Sequence, residues 1–416
     1  MTRHWISRAA AGLALVVAIA ACGEAPAPGP GLAVAVSELE TPAGPGSGEP
    51  FVAAHGGDVY LSWLERSGDG HDLRFARFDG AAWHAGGVVV HGDDFFVNWA
   101  DFPSLRTGPD GTLWAHWLQR GGQGTYDYGV RVARSHDGGA TWSEPWTPHD
   151  DDSPTEHGFV SAFVDGDGMG FLWLDGRKAD PAAPGGGVQE MTLRQRTMSS
   201  DGVPGEELVV DGRVCDCCQT AVTTTDAGPV AAYRNRTEDE IRDIYVSRRV
   251  DGAWTDGVPV FDDGWHIAAC PVNGPAIDAR GSAVAVAWFA APGDVARVKV
   301  AFSPDAGASF GAPVVVDDGA PAGRVDVRML EDGAALVTWL ERTGGEGAAV
   351  RLRVVQPDGS ASASHTLTES SSARASGFPR IAPLGAGDGA YLLAWTDVAE
   401  TAPQVRVTRL EVERTR

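Results

Sequence analysis

Ser135-His136-Asp137-Gly138-Gly139-Ala140-Thr141-Trp142 is the stretch whose reading decides the fold. Its pattern, Ser-x-Asp-x-Gly-x-Thr-Trp, has the chemistry of a hairpin turn. The Asp137 carboxylate can accept hydrogen bonds from the backbone of its own turn, and Gly138 and Gly139 tolerate positive φ. Trp142 then packs where the next strand starts. A second version is Ser303-Pro304-Asp305-Ala306-Gly307-Ala308-Ser309-Phe310, with shorter echoes at Phe78-Asp79-Gly80-Ala81-Ala82-Trp83 and Val250-Asp251-Gly252-Ala253-Trp254.

Outward from that turn the chain repeats. An apolar strand closing on an aromatic residue ends at Trp63, Trp117, Trp173, Tyr233, Trp288, Trp339 and Trp395, at spacings of 54, 56, 60, 55, 51 and 56 residues. Each is preceded by a short apolar strand and a Gly- or Asp-rich turn, and most are followed by an alternating strand such as Val130-Arg131-Val132-Ala133-Arg134. Period-two alternation punctuated by turn residues is the strand signature. The unit is therefore inner strand, Trp strand, alternating strand, turn, outer strand, and seven such units predict an all-β propeller. Two stacked sandwiches would not give seven equal periods. The last unit ends near Val412 without an outer strand, and 32–36, or on to Leu39, is a spare strand that is expected to close the ring.

The Ser135–Trp142 stretch resembles the Asp-box, or bacterial neuraminidase repeat, of sialidase-like β-propellers. Sialidases proper have six blades, so a six-bladed ring is the alternative to the seven counted. The resemblance also implies an exo-acting glycoside hydrolase that clamps a substrate carboxylate with three arginines and uses an acid/base carboxyl with a Tyr–Glu nucleophile. The Arg-Ile-Pro motif of that family is absent; the first three inner strands offer Phe51-Val52, Phe102-Pro103-Ser104 and Phe159-Val160.

The N-terminus reads as an export signal. Arg3 and Arg8 precede an apolar run from Ala9 to Ala21, too short to span a bilayer, that ends in Ile19-Ala20-Ala21-Cys22. Those four residues resemble a bacterial lipobox, which implies cleavage after residue 21, lipidation of Cys22 and a cell-envelope location, at the outer membrane or on the periplasmic side; a soluble secreted protein is the alternative. Residues 22–48 read as a Pro/Gly-rich tether ending in the closing-strand region, and 49–416 as one propeller domain. Losing Arg3 and Arg8 leaves 31 of the 33 basic residues against 56 acidic ones, a net −25. So acidic a chain is repelled by nucleic acid and anionic lipid, so a membrane is met only through the anchor. A monomer is expected.

Mapped onto a propeller, the unusual residues gather on the funnel face, where the loops leading into inner strands and those after Trp strands open. Four cysteines, Cys215, Cys217, Cys218 and Cys270, lie within 56 residues, with Cys218 and Cys270 at equivalent positions of neighbouring blades. Two disulfides suit an oxidising compartment. A copper or zinc thiolate site, with His266 and Asp216 as further ligands, and a redox-active pair are the other readings. Arg177, Arg234, Arg236, Arg324 and Arg380 are expected around the funnel, where they suit a small anionic ligand or glycan. What the sialidase resemblance implies for catalysis is Asp101, Glu156 or Asp175 as the acid and Tyr233 or Tyr126 as the tyrosine, although Tyr233 also replaces the repeating Trp as core. His149 and His157 share the face. A binding module whose cysteines brace or form the site ranks above the hydrolase, because the cysteine cluster has no place in sialidase chemistry. An assembly scaffold using the rim is the third reading.

Overall fold

A computed structural model describes Met1 and residues 31–178, 190–398 and 402–415. Cys22, residues 2–21 of the signal segment and the tether up to residue 30 lie outside the described residues. Seven antiparallel sheets follow one another along the chain, spanning 47–92, 104–135, 157–214, 221–259, 276–315, 321–371 and 380–415. They are the seven blades expected. Blade 2 has three strands, its outer one reduced to a bridge between Val132 and Trp146.

Ring closure is as the repeat implied. The strand Gly31–Leu39 pairs along its whole length with Gln404–Thr415, from Gly31 opposite Thr415 to Leu39 opposite Val407, and is the outer strand of blade 7. Among the described residues there is no α-helix, and none is long and apolar enough to cross a membrane.

The repeating aromatics form the core between blades, with Trp173, Tyr233, Trp288 and Trp339 fully buried. A buried indole N–H needs an acceptor. Trp63 donates to Glu65 at 2.9 Å, Trp173 to Asp175 at 2.9 Å and Trp339 to Glu341 at 2.6 Å, so a Trp-x-acid pattern recurs with the blades. The Ser135–Trp142 turn is held as its residues suggest. Asp137 accepts from the Thr141 amide at 2.9 Å and the Thr141 hydroxyl at 2.6 Å, and Ser135 Oγ accepts from the Gly139 amide at 2.8 Å. Asp305, Ser303, Ser309 and Gly307 repeat the same bonds.

Three inner strands share a bulge at their funnel end. Glu49, Phe159 and Arg324 have φ of 53°, 52° and 54°, each where the pairing with the Trp strand shifts register. A bulge re-aims the side chains after it, here towards the central channel.

Candidate functional site

The cysteines sit on the funnel face around blade 4. Residues 215–220 lead into its inner strand Ala221–Thr225, and Cys270 lies in the loop before the inner strand of blade 5, Ala276–Arg280. All four are free thiols. Cys215 Sγ stands 3.8 Å from Cys217 Sγ and 3.7 Å from Cys218 Sγ, and one ligand atom each from Asp216, Cys217 and Cys270 lies within 4.8 Å of the other two. The cysteines are therefore close enough together to hold a metal ion. It is Cys217, not Cys218, that meets Cys270: Cys218 turns inward and is buried, while Cys270 is exposed.

Cations answer this cluster. Arg242, from the loop after the Trp strand of blade 4, donates to Cys215 Sγ at 3.3 Å, to Asp216 at 3.0 Å and to Glu240 at 2.8 Å. Burial alone would raise the Cys218 thiol, yet hydrogen bonds from Cys215 and Cys217 and the charge of Arg234 hold it well below the usual range. Cys215 is pushed up to about 11, chiefly by burial.

The Cys270 loop is pinned in a strained shape. Val272, β-branched, has φ of 48°, in the left-handed region that such residues avoid. The next residue, Asn273, offers its carbonyl to Arg234 at 2.7 Å and its side-chain oxygen to the Arg324 amide at 2.8 Å. Gly274 packs so tightly on Gln219 that a Cβ would stand 2.0 Å from its carbonyl oxygen. Gln219 in turn accepts from the Gly274 amide at 3.0 Å and donates to Ala100 at 2.5 Å, tying three blades together next to Cys218.

Beside the thiols lies a buried acid pair. The Tyr128 hydroxyl is 2.7 Å from Asp101 Oδ2 and 2.6 Å from Glu156 Oε1, and Asp101 Oδ1 accepts from the Phe159 amide at 2.7 Å. One hydroxyl carries one proton, so two such short contacts require a second proton on a carboxyl. Burial pushes Asp101 up to about 7, against the hydrogen bonds from Tyr128 and Phe159. Glu156 rises to about 8, first through burial and then through the charges of Asp101, Asp216 and Cys270, so it also faces the cysteine site.

Asp175 is fully buried but occupied: it accepts from Trp173, and Arg177 forks onto both of its oxygens at 2.8 Å. It does in blade 3 what Glu65 and Glu341 do in theirs. His157 stands 3.1 Å from Asp151 and 3.7 Å from Asp175, with the His149 ring stacked on it at 4.0 Å. Tyr233 is core, bonded to Asp211 at 2.7 Å, and Tyr126 is exposed. His266 is exposed and belongs to no cluster of potential ligands among the described residues.

The arginines do not share one cavity. Arg177 also reaches Asp150 and Glu207, each at 3.0 Å, and Arg236 pairs with Glu240 at 2.8 Å. Arg234, 2% exposed, donates to the carbonyls of Arg242, Asn273 and Phe289 and lies over Trp265. Arg324 donates to Ser376 and to the carbonyls of Ser372, Ala373 and Gly377, between Trp99 and Phe378. Arg380 alone of the five lines the channel, in a cavity of about 70 Å3 with Phe51, Phe102, Arg106, Asp326 and Arg328. Sequence reasoning missed Tyr128, Arg106 and Arg328, and placed Arg242 on the funnel face without giving it a role. For Arg242 the signal was the acid-flanked run Glu238 to Asp243; the other three sit at regular strand positions and carried none.

No family model matches the chain, and no curated protein matches it in sequence. Among solved structures, the BP39L lectin of Burkholderia pseudomallei aligns with a TM-score of 0.59 at 11% identity, over 93% of this chain and 98% of the lectin. A polysaccharide lyase, the PL25 ulvan lyase bound to a glucuronate–sulfated rhamnose unit, aligns at 0.54 and 11%, over 89% and 95%. The NanB sialidase of Streptococcus pneumoniae aligns at 0.46 and 9%, over 85% and 83%. At such identities the likeness concerns fold alone, and the fold is a seven-bladed β-propeller.

Proposed function

We propose that this chain is a metal-binding propeller of the cell envelope, anchored through Cys22, whose working site is the triad Cys215, Cys217 and Cys218, with Cys270 beside Cys217, around one thiophilic ion, copper(I) or zinc. The observation that carries the reading is the sulfur spacing. A tetrahedral ion with metal–sulfur bonds of about 2.3 Å sets its ligand sulfurs about 3.8 Å apart. Cys215 stands at 3.8 and 3.7 Å from its two neighbours, whereas a disulfide needs about 2.05 Å. Arg242 and Arg234 offset the charge that several thiolates around one ion would leave in a buried place. Asp216 is the oxygen donor at hand, with its carboxylate held by Arg242.

Protein matured in the periplasm and purified without chelator should carry close to one copper or zinc per chain by elemental analysis. Cys217→Ser and Cys270→Ser should lose it. Zero titratable thiols together with no metal would assign the cysteines to disulfides and overturn the reading.

A second reading, glycan binding, has a specific groove in its favour. Between blades 6 and 7 lies a cavity of about 890 Å3 lined by Trp395, Glu346, Glu369 and Ser370, large enough for a sugar and equipped with an aromatic side chain. Two solved propellers similar to it in fold are a lectin and a polysaccharide lyase. Acidic walls favour a neutral or basic sugar over a sialic acid.

A further inference from the structure

Among the described residues, the waist of the central channel holds more cationic charge than the acids around it pair with. Arg106 comes from the inner strand of blade 2, Arg328 from that of blade 6 and Arg380 from that of blade 7, and all three line the cavity of about 70 Å3. Arg328 is answered: it pairs with Asp326 at 3.1 Å and donates to the carbonyls of Val327, at 2.6 Å, and Ile381. The other two are not. Nε of Arg106 and Nε of Arg380 are buried without a hydrogen-bond partner, and neither guanidinium enters a salt bridge, among the described residues. Both are held by their faces alone. Arg106 lies 4.7 Å from the Phe51 ring centroid, and Arg380 lies 4.7 Å from that of Phe102, 5.9 Å from that of Phe51 and 5.8 Å from that of Phe378. Aromatic rings satisfy the flat faces of a guanidinium but leave its in-plane N–H donors without acceptors.

The remaining acids do not fill the gap. Asp326 is shared between Arg328 and the amides of Val327 and Ile381. Both oxygens of Asp101 are occupied by Phe159 and Tyr128. Asp278 accepts the Met329 amide at 2.7 Å, and burial pushes its carboxyl upward, towards the neutral form. Arg106 is itself pushed down to about 10, first by burial and then by the charges of Arg328 and Arg380.

We propose that one small inorganic anion, chloride or an oxyanion of similar reach, sits at this waist on the free donors of Arg106 and Arg380, with Arg328 beside it. The cavity's size sets the class: about 70 Å3 admits a few water-sized groups and falls far below the roughly 300–1,000 Å3 of a small-molecule site. The anion joins blades 2 and 7, on either side of blade 1, and reduces the repulsion between their arginines. It is independent of the cysteine metal, so a Cys217→Ser/Cys270→Ser protein keeps it.

The test uses the full mature chain at fixed ionic strength, with gluconate, too bulky for the cavity, exchanged for chloride, bromide, nitrate or sulfate. At least one small anion should raise Tm saturably by about 2–5 °C, as expected for a ligand near a hundred times its Kd. Arg106→Gln should abolish the response. Crystals soaked in bromide should show an anomalous peak between Arg106 and Arg380, and this measurement decides the matter alone if the variant does not fold. Equal anion responses in wild type and Arg106→Gln, or a bromide-free waist, would overturn the proposal.

Discussion

The Tyr128 hydroxyl places one proton between two carboxyls, and that fixes how stability must respond to pH. Asp101 and Glu156 have folded-state values of about 7 and about 8, well above those of carboxyls in an unfolded chain. Between roughly pH 4 and 8 the native state therefore binds more protons than the unfolded one, and stability falls as pH rises through that window. We expect the urea midpoint to drop between pH 5.5 and 8.5, and Asp101→Asn, which keeps the Phe159 contact without an ionisable group, to flatten much of that slope. Superimposable profiles would refute the shared proton. Residues of this kind were only partly legible. Asp101 and Glu156 stood out as acids in loops leading into inner strands, but Tyr128 occupies an alternating-strand position indistinguishable from core. Arg234 and Arg324 looked like ligand-binding arginines because a sequence does not reveal whether a guanidinium meets a ligand or backbone carbonyls.

Elements were far more legible, because each rests on a local rule repeated seven times. The recurring strand-closing aromatic, period-two alternation and Gly- or Asp-rich turns all describe the same strands. The closing strand was inferred from a deficit, an outer strand missing at one end of the chain and spare at the other. Its register makes a sharp prediction. Leu32 and Val34 pack against the core of blade 7, whereas Ala33 and Ala35 face solvent. Val34→Asn should cost about 1–2 kcal/mol in denaturant unfolding, from lost burial and a stranded amide, while Ala33→Asn stays within about 0.5 kcal/mol. A slip of one residue would swap the two results. What the element level could not supply was the shape of the loops: the pairing of Cys217 rather than Cys218 with Cys270 depends on the strained turn at Val272, which has no sequence signature.

For the molecule as a whole, the ring decides which chemistry has room. An exo-acting sialidase must bring a sugar acid into the funnel, hold its carboxylate on free arginines and present an acid with a tyrosine nucleophile to the anomeric carbon. Here the channel narrows to about 70 Å3 on the funnel side, while its wider section, about 390 Å3, lies towards the opposite face, past Thr107, Thr223 and Asp278. Four of the five candidate arginines are bound to acids or carbonyls, and Tyr128 is 1% exposed under the stacked ring of Phe96 at 3.8 Å. Arg380 is the exception, and it faces a space smaller than one sugar ring. Turnover of a fluorogenic sialoside should therefore be undetectable at enzyme concentrations that give a strong signal with a true sialidase, and Arg380→Ala should change nothing in that assay. The single result that would reverse this conclusion is measurable kcat/KM that falls a hundredfold or more in Arg380→Ala. Such a result would require the waist to open by several ångströms, which the bulged inner strands of blades 1, 3 and 6 would have to permit together.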